Sequence, residues 1–96
     1  MDAAERGKRW AETAVRRELE AIEALPVEVN IQKPNNPYWR SLFAIAGIVN
    51  GGYLRKDEAL ARIVQASEHL SLLEKAIAYQ WNRACQRAQP RHPRNL

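Results

Sequence analysis

The stretch Asn36-Pro37-Tyr38-Trp39-Arg40-Ser41-Leu42-Phe43-Ala44-Ile45-Ala46-Gly47-Ile48-Val49-Asn50-Gly51-Gly52 carries a helix start, a helix body and a helix stop in one run. Asparagine favours the capping position because its side-chain oxygen accepts a free backbone N–H, and proline suits the first helical residue, whose N–H has no partner anyway. Asn50-Gly51-Gly52 then ends the element. The expected helix spans 37–49. Tyr38, Trp39, Leu42, Phe43, Ile45, Ala46, Ile48 and Val49 cover more than half of its circumference. That is wider than the stripe of a surface helix, so this helix is expected at the centre of a core, with Gly47 allowing a neighbour to approach closely.

Upstream, 3–25 consists of strong helix formers, with Ala11, Ala14, Val15, Leu19, Ile22 and Leu25 on one side of a 3.6-residue spiral. Its outer face offers Glu5–Arg9, Lys8–Glu12, Glu12–Arg16 and Arg16–Glu20 as four-residue-spaced ion pairs, while Gly7 is the expected site of fraying. From Pro26 to Pro37 the helical pattern fails. Val27, Val29 and Ile31 alternate with polar residues before Lys33-Pro34-Asn35-Asn36-Pro37, a pattern that fits an extended linker or one short strand.

Downstream, Asp57 opens a third expected helix, 57–69, with Ala59, Leu60, Ile63, Val64 and Ala66 inward. Ser71-Leu-Leu-Glu74 has the form of a capping box for a fourth, 72–88, whose buried stripe is Leu73, Ala76, Ile77, Trp81, Ala84 and Ala88. Residues 89–96 are rich in proline and arginine and read as an extended basic tail that does not pack. The expected architecture is all-α: a small four-helix bundle forming one domain over 1–96, with a long Pro/Asn loop after helix 1 and that C-terminal tail.

A chain of 96 residues supports one core, and its 46% hydrophobic content, arranged in periodic blocks, separates it from disordered segments. At this size the stability margin is on the order of 5 kcal/mol. One cysteine, Cys85, excludes a disulfide framework and a thiolate metal cluster. Met1-Asp-Ala-Ala-Glu-Arg6 has no apolar run behind its charges, and no window approaches a membrane span, so a cytoplasmic place with no membrane contact is expected. The formal charge is +4 and segregated: every acid lies at or before Glu74, whereas Lys75, Arg83, Arg87, Arg91 and Arg94 follow without a carboxylate among them.

His69, Cys85 and His92 are too far apart in sequence for the usual metal-ligand spacing, and Cys85 has no neighbouring base, so neither a metal site nor a cysteine nucleophile is expected. Glu18, Glu20 and Glu23 fit a solvated face, and Gly51-Gly52 lacks the lysine of a phosphate loop. No cofactor and no catalytic centre are expected. What stands out is the fourth helix, where Lys75, Tyr79, Asn82, Arg83 and Gln86 lie opposite the buried stripe, continued by Arg87, Arg91 and Arg94. Lysine and arginine neutralise phosphates, amides bond phosphates or base edges, and tyrosine stacks on unpaired bases. An ordinary solvated helix face followed by a soluble tail accounts for the same composition. Trp10, beside the first helix's apolar stripe, reads as a rim residue.

The order of segments has a further likeness. Ala14-Val-Arg-Arg-Glu-Leu-Glu-Ala-Ile22, the Asn35-Asn36 loop, Leu42-Phe43-Ala-Ile-Ala-Gly47-Ile-Val-Asn-Gly51, Asp57-Glu58-Ala59, Glu74, Ile77 and Pro90-Arg91 together resemble the C-terminal helical region of bifunctional primase-polymerases of phages, plasmids and integrated elements. The likeness runs over about residues 10–93. It departs at Pro34, where that family has arginine before asparagine, and at Trp81-Asn82, in place of a Ser-Gly pair. The resemblance implies a bundle that helps a replication enzyme hold DNA, as single-stranded template or primer-template, alone or beside a replication protein. A second expectation is a small adaptor or inhibitor from a phage or mobile element that binds another protein through its aromatic helix and basic face, a reading that an apolar interface centred on Trp10 or Tyr53 would support.

Overall fold

In the computed structural model, which describes residues 2–94, the buried amide of Asn36 organises the start of the central helix. Its side-chain oxygen accepts from Trp39 N at 2.8 Å, and its NH2 group donates to the carbonyls of Ile31 at 3.0 Å and Lys33 at 2.7 Å. A side chain that would be costly to bury unpaired thus fastens the preceding loop to the helix. Numbered in chain order, the helices are α1 (Ala3–Glu23), α2 (Pro37–Asn50), α3 (Lys56–Ala66) and α4 (Glu74–Arg87), with a 3-10 turn at Glu68–Leu70. The protein is an all-α four-helix bundle in which α2 packs against each of the other three helices. No strand occurs among the described residues, and none of the helices is long and apolar enough to cross a membrane.

Leu42, Ile45, Ala46 and Ile48 of α2 are fully buried, joined by Val15 and Ile22 of α1, Ile63 of α3 and Trp81 of α4. The expected core position of α2 holds, with one correction: Phe43 is 39% exposed and Trp39 half-buried. Both lie on the edge of α2 that α1 and α4 leave open. The helix stops where expected, at Gly51, and Gly52 takes φ +91°, a left-handed conformation that a Cβ would strain.

Gly7 is no fraying point. It is buried, and a Cβ there would sit 2.7 Å from the Tyr53 ring, so the glycine lets that ring, which also meets Trp10 edge-on at 5.4 Å, lie against α1. Trp10 is accordingly a half-buried rim residue. The expected ion pairs along α1 do not form among the described residues; Glu12 instead meets Arg62 of α3 at 3.7 Å. At such surfaces an in-helix pair contributes only a few tenths of a kcal/mol, too little to hold long side chains. The segment 26–36 is a succession of turns, with N–H to C=O bonds Val29–Pro26, Lys33–Asn30 and Asn36–Lys33, and with Val29 and Ile31 against the core.

The expected capping box at Ser71 is absent. Ser71 adopts φ +56°, α4 begins at Glu74, and Leu73, placed in the buried stripe by its spacing, is 66% exposed at the capping position. The competing force is Leu70: the third helix ends at Ala66, and the 3-10 turn carries Leu70 into the core. Burying a leucine is worth about 1.5–3 kcal/mol, against about 1 kcal/mol for a cap. The break at Ala66 is itself satisfied, because Ser67 Oγ donates to Ile63 O at 2.6 Å and thereby accepts the Tyr38 hydroxyl at 2.9 Å. Burial pushes the Tyr38 pKa up, against an opposing pull from the Ser67 contact.

The tail also differs from expectation. After α4 the chain doubles back as a strap over α2. Arg91 N donates to Gly47 O at 2.9 Å, its guanidinium donates to Ala44 O at 3.2 Å and lies 5.7 Å from the Trp10 ring, and His92 Nδ1 bonds Tyr53 OH at 2.8 Å. Glycine is what admits the strap: a Cβ on Gly47 would meet the Arg91 side chain at 2.7 Å, and one on Gly51 would meet the Arg91 carbonyl at 2.4 Å. Asn50 makes the turn, its NH2 donating to the carbonyls of Cys85 and Ala88, both at 2.9 Å. These are last-turn groups of α4 that would otherwise face water. Residues 95 and 96 of the expected tail lie outside the described residues.

Asn50→Ala is expected to lower unfolding free energy by about 1 kcal/mol, since two modest bonds at a partly exposed site are lost; urea titration followed by circular dichroism measures this. Gly51→Ala keeps a helical φ but collides with the strap. Trypsin is expected to cut after Arg91 faster in this variant than in the parent, with helix content unchanged.

Candidate nucleic-acid interface

Along α4, residues 79, 83 and 87 form one ridge by their four-residue spacing, and this ridge faces the turns that Asn36 fastens. Between them runs an open groove of about 670 Å³ whose wall includes Lys33, Asn35, Trp39, Tyr79, Arg83 and Arg87. Its size does not distinguish it, because a groove between α1 and the 52–58 segment measures about 740 Å³ and another beside Arg62 about 760 Å³. Charge does. Those two are lined by both signs, Glu12 and Glu58 with Arg9 and Arg16 in one, Glu20, Glu23 and Glu68 with Arg16 and Arg62 in the other. The α4 groove has Lys33, Arg83 and Arg87 and no carboxylate in its lining.

Of these cations Arg83 is held over aromatic rings. Arg83 Cζ lies 5.9 Å from the Trp39 ring centre and 5.7 Å from that of Tyr79, a ring 60% exposed. Trp39 in turn packs on Phe43 at 6.0 Å. On the far side of Trp39 a second open groove is lined by Glu18, Arg40, Phe43 and Arg91, and it shares Asn35, Trp39 and Arg87 with the first. The two form one surface with a cationic excess. The ion pairs among the described residues are Arg55–Asp57 and Arg62–Glu12, so none of these groove cations is paired.

The residues singled out on α4 divide. Tyr79, Arg83 and Arg87 come together in the groove. Asn82 lies toward the other flank, beside Lys56, Leu60 and Trp81, and Lys75 and Gln86 stand exposed on the outer ridge between the two flanks. Arg91 lines the second groove but is committed to the strap through Ala44 O and Trp10, and Arg94 is exposed at the end of the described chain. Sequence reasoning missed Lys33, Asn35, Trp39, Arg40 and Phe43, which belong to the loop and to α2. One signal was available: an apolar face on α2 too wide for its neighbours to cover must surface somewhere, and it does so at Trp39 and Phe43.

The remaining reactive groups are engaged structurally. Cys85 is half-buried; burial pushes its thiol pKa up, against an opposing pull from the Lys56 ammonium, so the thiol is protonated at neutral pH. His69 Nε2 donates to Leu25 O at 2.9 Å, and His92 holds Tyr53. Among the described residues no group of three or more His, Cys, Asp or Glu is gathered so as to hold a metal ion. No known protein family, characterised protein or solved structure matches the chain.

Proposed function

We propose that this bundle is a non-catalytic DNA-binding module that takes single-stranded DNA along the groove between α4 and the 31–36 turns. The observation that carries the reading is the Arg83 guanidinium set between the rings of Trp39 and Tyr79 in a groove with three cations and no carboxylate. Cations facing one way attract a phosphate backbone, and ring faces left partly open can stack on bases that are not already paired, which selects a single strand over a duplex. It is the role implied by the likeness to the helical region of primase-polymerases, where template or primer-template would be the ligand and a replication protein the neighbour. A cytoplasmic place of action goes with it.

The contact surface differs from one made by the last helix and a free tail. Lys33 and Arg40 join Arg83 and Arg87, while Arg91 is occupied in the strap. Four neutralised phosphates correspond to a slope of log affinity on log salt of about −2.8 for a single strand. Fluorescence anisotropy of labelled single-stranded and duplex DNA across a salt series is expected to give that slope with single strands bound more tightly. Arg83→Glu/Arg87→Glu is expected to abolish most binding with the helical circular dichroism unchanged. A folded sample that binds neither DNA at low salt would refute the proposal, and a salt-insensitive complex with a protein would favour the adaptor role instead.

A further inference from the structure

The two grooves meet at a ridge made by Trp39, Asn35 and Arg87, each of which lines both. We infer that this ridge is a single-nucleotide subsite at which a strand crosses from one groove to the other, its base stacked on Trp39, its phosphate on Arg87 and its base edge met by the Asn35 amide. The inference rests on the DNA-binding proposal and assigns it a base-contacting centre.

Three features of the ridge suit that ligand. Trp39 is firmly based: its backbone N–H is bonded to Asn36 and its ring packs on Phe43, yet it stays only half-buried. An indole braced by Phe43 and topped by the Arg83 guanidinium, 5.9 Å from its ring centre, gives a base its face once that guanidinium turns to a phosphate, and the ring itself loses little freedom in the exchange. Arg87 is exposed, at the end of α4 and without a carboxylate partner, within the same wall. Asn35 has φ +57°, a left-handed conformation that most residues adopt only under strain and that asparagine tolerates. Its neighbour Asn36 already makes the cap and fastens the loop, so the Asn35 amide is left at the exposed surface of the wall, with donor and acceptor both available to a base edge.

The rest of the surface gives the strand a path. Lys33 and Arg83 lie in the groove on one side of the ridge and Arg40 in the groove on the other, so successive phosphates meet cations on both sides of the stacked base. Phosphate attraction alone would be indifferent to the presence of a base. Stacking on Trp39 would not.

The test compares a thymidine oligonucleotide with an abasic strand of the same length, titrated into the full chain at low salt. Tryptophan emission is the readout: Trp81 is fully buried, Trp10 is half-buried like Trp39 but lines neither groove, and Trp39→Leu assigns the quenching. The thymidine strand is expected to quench the emission and to bind about tenfold more tightly than the abasic strand. Trp39→Leu is expected to remove both the quenching and that tenfold preference, Trp39→Phe to retain the preference, and Asn35→Gly, which glycine's freedom at positive φ leaves folded, to reduce discrimination among bases. Equal binding of both strands without quenching, or an unchanged preference in Trp39→Leu, overturns the subsite and leaves the DNA-binding proposal standing. Binding of neither strand overturns both. The strand comparison needs no substitution, so a poorly folding variant does not blunt it.

Discussion

Everything in this bundle follows from the need to cover α2. Its residues Leu42, Ile45, Ala46 and Ile48 are fully buried, and Tyr38 and Ser41 nearly so, which means that neighbours must lie on almost every side. With 14 residues α2 is about 21 Å long, and α4, also of 14 residues, is no longer. Helices α1, α3 and α4 cover its flanks and leave gaps at its two ends. The gap at its N-terminal end is filled by the turns fastened through Asn36, and that at its C-terminal end by the strap running back over Gly47 and Gly51. The strap is therefore part of the core's lid, even though its composition resembles a solvated tail.

That solution has an electrostatic consequence. Arg91 is the residue that a charge count would assign to a ligand most readily, since it follows two other arginines in a segment free of acids. In the fold its guanidinium meets a carbonyl and the Trp10 ring, and its backbone N–H meets Gly47 O. Gly47 O also accepts Gly51 N, at 3.0 Å, so one carbonyl ends α2 and anchors the strap at once, using both of its lone pairs. The free positive surface is consequently displaced from the end of the chain to the side of α4 and the loop before α2.

The parts legible in the sequence were those governed by one dominant local signal. α1 and α2 follow from apolar period and, for α2, from Asn36-Pro37 and Gly51-Gly52, with no rival force at those positions. Where two comparable signals competed, the local one lost. Ser71 has the chemistry of a cap, but Leu70 beside it gains more by burial than the cap supplies, and the chain turns left-handed at Ser71 to achieve it. The strap was illegible because its partners, Gly47 and Tyr53, are remote in sequence and the glycine signal says only that something comes close. The candidate surface was half legible for the same reason: Tyr79, Arg83 and Arg87 declare themselves by helical spacing, whereas Lys33, Asn35 and Trp39 join them only through tertiary packing.

The order in which rigidity is distributed matters for what the surface can do. A groove built from one helix and a free loop would have to order the loop on binding, at a cost of about 1–2 kcal/mol for each residue fixed. Here the Asn36 side chain has already tied Ile31, Lys33 and Trp39 together, and the Asn36–Lys33 turn is closed by its own backbone bond. The loop is set before any ligand arrives. The cationic side chains are not tied in this way: Lys33, Arg40 and Arg87 are exposed, and Arg83 rests on two rings without a carboxylate to hold it. In the proposed complex, a guanidinium parked on aromatic faces would retain most of its charge for a phosphate, and its departure would uncover the rings for a base. Backbone rigidity and side-chain availability are thus supplied by different residues, and Asn36 has the structural role while its neighbour Asn35 is left free.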